Sequence, residues 1–240
     1  MTADCTFGHS LEEQTVRVVA ASGGEVLERS GYPLPATSDF SAYMEAARTS
    51  GAKVLGLANA GVDLVNCINE AQNSASPASA RGEEDKILLE ASATTVALTG
   101  AQCSPNTVLW SLDTYLLGQS TGGAMVKSGG DTWFFITADY TFGHSLEEQT
   151  ARVVAASGGK VLGRSRYPFP ATSDFSAYMA AARASGAKVL GLANAGADLV
   201  NSIKEAHEFG LTRVGMRIAP LEMFLTDAHA LEPAESAGLV

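Results

Sequence analysis

The sequence predicts an α/β protein in which parallel sheets are flanked by helices. Short, bulky apolar runs such as Trp133-Phe134-Phe135-Ile136 suit strands buried on both faces. Between such runs lie segments of about 10–15 residues with helical spacing of apolar positions. Glycines and prolines mark the seams. Strands alternating with helices of that length require right-handed crossovers, and hence a parallel sheet.

The second half of the chain shows the elements in order. After the strand at 133–136, a loop over 137–142 leads into a helix in which Leu146, Val153 and Val154 share a face, stopped by Gly158-Gly159. Residues 160–165 read as the next strand, closed by Pro168 and Pro170. Thr172-Ser173-Asp174 offers a helix N-cap, and Phe175, Tyr178, Met179 and Ala182 form an apolar stripe that ends at Gly186. A strand is expected at 187–193, a helix at 197–209 and a last clear strand at 213–219. The run Gly238-Leu239-Val240 resembles a strand cut short. Upstream, 73–85 is a polar Ser/Ala/Pro linker and a domain boundary, 86–90 a short strand, and 111–127 a helix.

The chain also carries one stretch of itself twice. Residues 2–71 reappear at 137–206 with a constant offset of 135, and eleven of the 70 pairs differ. Repeat proteins usually stack units of roughly 20–50 residues, so one long and nearly unchanged copy points to duplication of half a domain. Five differences change charge or bulk at positions expected to be exposed: Glu25/Lys160, Glu28/Gly163, Gly31/Arg166, Glu45/Ala180 and Asn69/Lys204. The apolar runs at 54–57 and 189–192 are identical. The first copy is expected to lack its opening strand, because Met1 directly precedes the loop.

Composition narrows the function. With 46% hydrophobic and 18% charged residues, the chain is ordinary for a globular protein with a substantial core. A net charge of −10 argues against nucleic acid as a partner, since phosphates need a basic face. No run of about 18 apolar residues is present, so no membrane insertion is expected. The N-terminus lacks the basic and apolar regions of a signal peptide, so the chain as written is expected in the cytoplasm. Cys5, Cys67 and Cys103 have no metal-like spacing and read as free thiols. His9, His144, His207 and His229 show no zinc pattern, so no metal is expected. No P-loop and no G-x-G-x-x-G occur, and no cofactor is indicated.

From Lys86 onward the motifs CSPNTVLW (103–110), DTWFFITADYTFG (131–143), SDFSAYM (173–179), GAKVLGLANAGAD (186–198) and IAPLEMFLTDAHAL (218–231) come in a characteristic order. In that order the chain resembles the type I periplasmic solute-binding proteins of ABC transporters, the branched-chain amino-acid-binding-like group. The resemblance implies two Rossmann-like lobes that close on a small molecule about a hinge, a periplasmic location and an ABC permease as partner. It makes 1–72 a duplicated half-lobe, 73–85 a linker, and 86–240 the end of the first lobe with most of the second.

In open parallel sheets ligands bind beyond the carboxyl ends of the strands, where helix N-termini expose unpaired N–H groups. Asp139, Tyr140 and Phe142 follow the strand at 133–136, and Asn194 follows the strand at 187–193. A helix N-cap with a packing aromatic and a buried Asn turn are the plainer readings of these groups. Glu222 resembles the acid that family members hold for a ligand ammonium, and a solvated loop glutamate is its plainer reading. Ser92 and Thr94 resemble the first-lobe hydroxyls that hold a ligand carboxylate, and capping a turn is their plainer role. Together these residues suit an amino acid or an aromatic or aliphatic carboxylate. The first copy offers only Asp4, Cys5, Phe7 and Asn59 and reads as scaffold.

Two other readings remain open. Gly-His-Ser-Leu-Glu, at 8–12 and 143–147, resembles the G-x-S-x-G elbow of serine hydrolases, with Asp227 and His229 as imaginable partners of Ser145. Its last Gly is Glu, however, and Ser145 lies well beyond the strand, where capping is its ordinary task. A self-associating scaffold that pairs exposed strand edges as a homodimer is the third reading.

Overall fold

The computed structural model describes residues 1–4, 6–33, 37, 39–59, 63, 66, 67, 70, 88–90, 94, 96, 99, 100, 103, 107–109, 111–169 and 172–239. The linker expected at 73–85 lies outside them. Two units divide the chain, Met1–Ser111 and Leu112–Val240.

The first unit contains β1 (Thr2–Ala3), α1 (Thr6–Ala21), β2 (Gly31–Tyr32), α2 (Ser41–Thr49), β3 (Leu88–Glu90) and β4 (Thr107–Leu109). β1 pairs in parallel with β2, and β3 with β4. The second unit contains α3 (Thr114–Lys127), β5 (Thr132–Ala138), α4 (Thr141–Ala156), β6 (Lys160–Tyr167), α5 (Ser176–Ser185), β7 (Val189–Ala193) and α6 (Gly196–Glu208). A 3₁₀ turn (Thr212–Val214), β8 (Arg217–Pro220), α7 (Leu225–His229) and α8 (Pro233–Ser236) follow. Its four strands are parallel in the order β6-β5-β7-β8.

Alternation along β5 explains the layering. Phe134, Ile136 and Ala138 face one core with Met179 and Ala182 of α5 and Leu199, Ile203 and Ala206 of α6. Trp133 and Phe135 face the other, with Met125 of α3 and Leu146 and Val154 of α4. The two rings stack at 5.6 Å, and the Trp133 indole N–H donates to the Gly130 carbonyl at 2.8 Å, so its one polar atom is satisfied. Each such side chain, fully buried, contributes about 1.5–3 kcal/mol.

Several boundaries differ from the sequence reading, each for a local reason. The loop expected at 137–142 shrinks to Asp139 and Tyr140, because β5 continues through Ala138 and α4 begins at Thr141. The cap of α5 is Phe175 rather than the 172–174 triplet. Asp174 instead accepts from the Ser176 N–H at 2.8 Å, while the Phe175 N–H donates to Glu205 at 3.0 Å. Residues 212–214 form a 3₁₀ turn closed by Gly215 in the left-handed region, which shortens the strand expected at 213–219 to β8. The chain near Gly238 is a turn after α8 and not a cut strand, and Leu239 packs against the core. Residues 2 and 3 do form a strand, although none was expected there. The helix expected at 111–127 starts at Thr114, capped by Asp113, whose carboxylate accepts from the Leu116 N–H at 2.8 Å.

The copies keep one register. Thr2 and Ala3 oppose Gly31 and Tyr32 as Thr137 and Ala138 oppose Arg166 and Tyr167, and Thr2 bridges Ala58 as Thr137 pairs with Ala193. Gly143 and Gly8 show why the helix start is conserved between copies. A Cβ on Gly143 would lie 2.2 Å from the Ala138 carbonyl oxygen and 3.1 Å from that of Ala193, and one on Gly8 would lie equally close to Ala3 and Ala58. Gly143→Ala should therefore cost about 2–3 kcal/mol in urea unfolding, since the clash is with backbone. Unchanged stability would mean that α4 does not abut the strand ends.

Candidate functional site

β5, β7 and β8 end on one edge of the second unit, and the segments that follow them carry the candidate residues. Tyr140 is the N-cap of α4 and Ala195 the N-cap of α6. Both have extended backbones, and neither helix receives a side-chain cap bond. The first-turn N–H groups of both helices thus point outward with the positive ends of their dipoles, a setting that favours an anionic group.

The Tyr140 ring stacks on Phe169 at 4.5 Å and lies 5.8 Å from Phe142. Burial raises its hydroxyl pKa, and the carboxylates of Glu222 and Asp198 push it further the same way. Phe142 is buried in the core beneath and supports the ring rather than offering a surface. Asn194 is buried; its amide donates to the Ser202 hydroxyl at 2.9 Å, and that hydroxyl donates to the Asp198 carbonyl at 2.5 Å. Tyr167, at the end of β6, donates its hydroxyl to Asp198 at 2.9 Å. Burial raises the Asp198 pKa, and the Tyr167 bond opposes that rise.

Glu222 follows β8 and is 6% exposed. Burial pushes its pKa up to about 7, with the Asp227 carboxylate acting in the same direction. No cation pairs with it among the described residues. Buried acids perturbed in this way, in the absence of a structural partner, cluster at functional sites. Asp227 itself has a structural task, accepting from the Phe224 N–H at 2.9 Å at the start of α7.

The structure therefore brings Tyr140, Asn194 and Glu222 to one edge, with Phe142 behind. Asp139 is on the same edge but bonds to the His144 ring at 2.6 Å. Thr94 belongs to the first unit and is half-buried, and Ser92 lies outside the described residues. Sequence reasoning missed Tyr167, Phe169 and Asp198. A signal was present in Tyr167 and Asp198, which recur as Tyr32 and Asp63. Ser145 faces α3, its hydroxyl 2.8 Å from that of Thr114, and no hydrogen bond joins it to a histidine among the described residues. Among those residues no His, Cys, Asp or Glu cluster could hold a metal, and no helix is long and apolar enough to cross a membrane.

A parallel sheet flanked by helices, with two helix starts and a buried acid at its carboxyl edge, is an open α/β sheet whose strand ends form the kind of edge at which such sheets carry ligand sites. The periplasmic binding protein family model matches residues 1–75 and again 73–240. A periplasmic binding protein from Burkholderia mallei is 39% identical over 97% of this chain and 60% of its own, with a TM-score of 0.75. The chain belongs to the periplasmic binding protein family. Two further solved proteins share the fold. An amino acid ABC transporter substrate-binding protein from Pseudomonas fluorescens is 20% identical over 98% of this chain and 61% of its own, with a TM-score of 0.72. A Rhodopseudomonas palustris solute-binding protein in complex with benzoate is 20% identical over 95% and 61%, with a TM-score of 0.69. The chain thus spans 60–61% of the length of these proteins. No curated protein matches it.

The Glu222 shift has a consequence for stability. Its folded pKa lies above the ordinary 4.5, so the native state holds a proton that the unfolded state releases. Stability is fully present below pH 4.5 and is lost as pH rises to about 7, by on the order of 2–3 kcal/mol. Glu222→Gln should remove that slope and raise the melting temperature at about pH 8 relative to wild type. Parallel pH profiles for the two proteins would show that Glu222 is not buried as described.

Proposed function

We propose that the edge formed by Tyr140, Asn194, Glu222 and the starts of α4 and α6 binds a small carboxylate-bearing molecule, an amino acid above the other candidates. Its carboxylate is held by the unpaired N–H groups, its ammonium by Glu222 and Asp198, and its side chain against the Tyr140 ring. The observation that supports this best is the buried, unpaired Glu222 beside a ring at an uncapped helix start. Benzoate in the Rhodopseudomonas palustris neighbour makes an aromatic acid the runner-up. The role is binding without catalysis, as the solute-binding part of a periplasmic ABC uptake system with a permease as partner.

A thermal-shift panel of amino acids and aromatic acids tests this. A ligand at about 100 times its Kd adds roughly 2.7 kcal/mol, a rise of about 5–10 °C for a chain of this size. Tyr140→Ala should reduce the shift while leaving the unliganded melt in place, and an unreduced shift would remove Tyr140 from the site. The pH profile separates the ligand classes. Affinity for an amino acid rises as Glu222 ionises through about pH 7, whereas affinity for a lone carboxylate falls, because like charges then face each other. A flat panel over a cooperative melt would refute the binding reading.

A further inference from the structure

Tyr140 offers the candidate site one face of its ring, and Phe169 covers it. Tyr140 packs against both apolar cores of the second unit, so the face it turns outward is the one on which Phe169 stacks. The ring centroids are 4.5 Å apart and the planes are inclined by 17°. A third ring between them would need roughly twice the contact distance of about 3.5–4.0 Å between carbon atoms. Burial, and then the Glu222 and Asp198 carboxylates, raise the pKa of the Tyr140 hydroxyl, so the stacked pair stands beside the acids of the site.

Phe169 itself is 45% exposed, so its ring has water to turn into. It sits in the turn between β6 and α5, which the Thr172 hydroxyl closes by donating to the Pro168 carbonyl at 2.8 Å. Pro168 and Pro170 flank it in the sequence. A proline fixes its own φ and restricts the residue before it, so the freedom left at Phe169 is chiefly that of the side chain. The first copy closes the same turn, Thr37 donating to the Pro33 carbonyl at 3.0 Å, with Leu34 in the place of Phe169. Two of the eleven differences between the copies, Leu34/Phe169 and Cys5/Tyr140, thus put two stacked rings into the second copy. The turn belongs to the repeated frame; the ring pair belongs to the copy with the candidate site.

We propose that Phe169 is an internal plug on the side-chain seat of the ligand site: its ring occupies the outward face of Tyr140, and a ligand side chain enters by taking its place. This rests on the reading of the edge as a ligand site and adds a selection rule to it. A ligand that brings a planar ring replaces one stacked pair by another, so it displaces Phe169 at little net loss. A short aliphatic side chain leaves the pair in place and gains no contact from the seat. Every ligand that needs the seat binds in proportion to the fraction of chains in which Phe169 is turned away. The favoured class is therefore a carboxylate that carries a planar ring, over one with a short aliphatic chain.

Calorimetry on the full chain, on Phe169→Ala and on Phe169→Leu, with L-phenylalanine, benzoate and L-alanine as probes, tests the plug. Phe169→Ala should tighten L-phenylalanine and benzoate by about two- to tenfold, the range set by one aromatic pair, and Phe169→Leu by less. L-alanine should gain nothing, because its methyl group does not need the seat. Nuclear Overhauser contacts between the Tyr140 and Phe169 rings, present in the chain alone, should disappear as L-phenylalanine saturates it. Binding confined to the two variants would support the plug most strongly. Should Phe169→Ala unfold, Phe169→Leu and the ring contacts decide. Weaker or unchanged binding of the ring-bearing probes by the variants, or ring contacts that persist at saturation, would overturn the plug and leave the ligand site in place. Equal tightening of all three probes would overturn it too, since the effect would not then depend on the seat. Absence of binding in all three proteins would overturn the ligand site itself, and the plug with it.

Discussion

A parallel strand that is buried on both faces has no use for solvent on either side, so a central strand decides whether the elements around it form a sheet. β5 holds that place in the second unit. It is paired on both edges, and its alternate side chains organise α3 and α4 on one face and α5 and α6 on the other. The candidate site depends on the same strand. Asp139 and Tyr140 are its continuation, and the close seat of Gly143 against Ala138 and Ala193 fixes where α4 begins.

The duplicated segment shows this dependence within one molecule. Tyr32, Phe40 and Met44 are buried like Tyr167, Phe175 and Met179, and the Tyr32–Phe40 ring pair, at 4.9 Å, matches the Tyr167–Phe175 pair at 4.8 Å. The carboxyl end of the repeated segment is therefore built alike in both copies. Asn59 keeps its place too, donating to the Cys67 thiol at 3.2 Å where Asn194 donates to Ser202; burial pushes that thiol up to about 12 and leaves it unreactive. The copies part company at the other end of the strands, where 54–57 do not form a strand in the first copy despite an identical sequence. Propensity is a weak prior for such residues; a paired neighbour makes the strand.

Much of this was legible in the chain. The apolar run at 133–136 identified β5, the glycine pairs identified the helix ends, Tyr140 and Asn194 were singled out because residues after parallel strands occupy one edge, and Glu222 was singled out from the family resemblance. What was hidden depended on contacts remote in sequence. Phe169 stacks on Tyr140 across 29 positions, and Tyr167 bonds to Asp198 across 31, so neither has a local pattern. Glu205 takes the Phe175 N–H in the same way, which displaced the expected cap. Identity between 54–57 and 189–192 gave no sign of the difference, since the same residues form a strand in the second copy and none in the first.

The most direct measurement of the central claim is residue-resolved NMR hydrogen exchange on the unliganded chain, comparing amides 54–57 with 189–192. The account predicts strong protection of the latter, which lie in a sheet between β5 and β8, and little of the former, which have no neighbouring ladder among the described residues. Equal protection of the two identical runs would contradict it, and would mean that the sequence forms its strand without the central one.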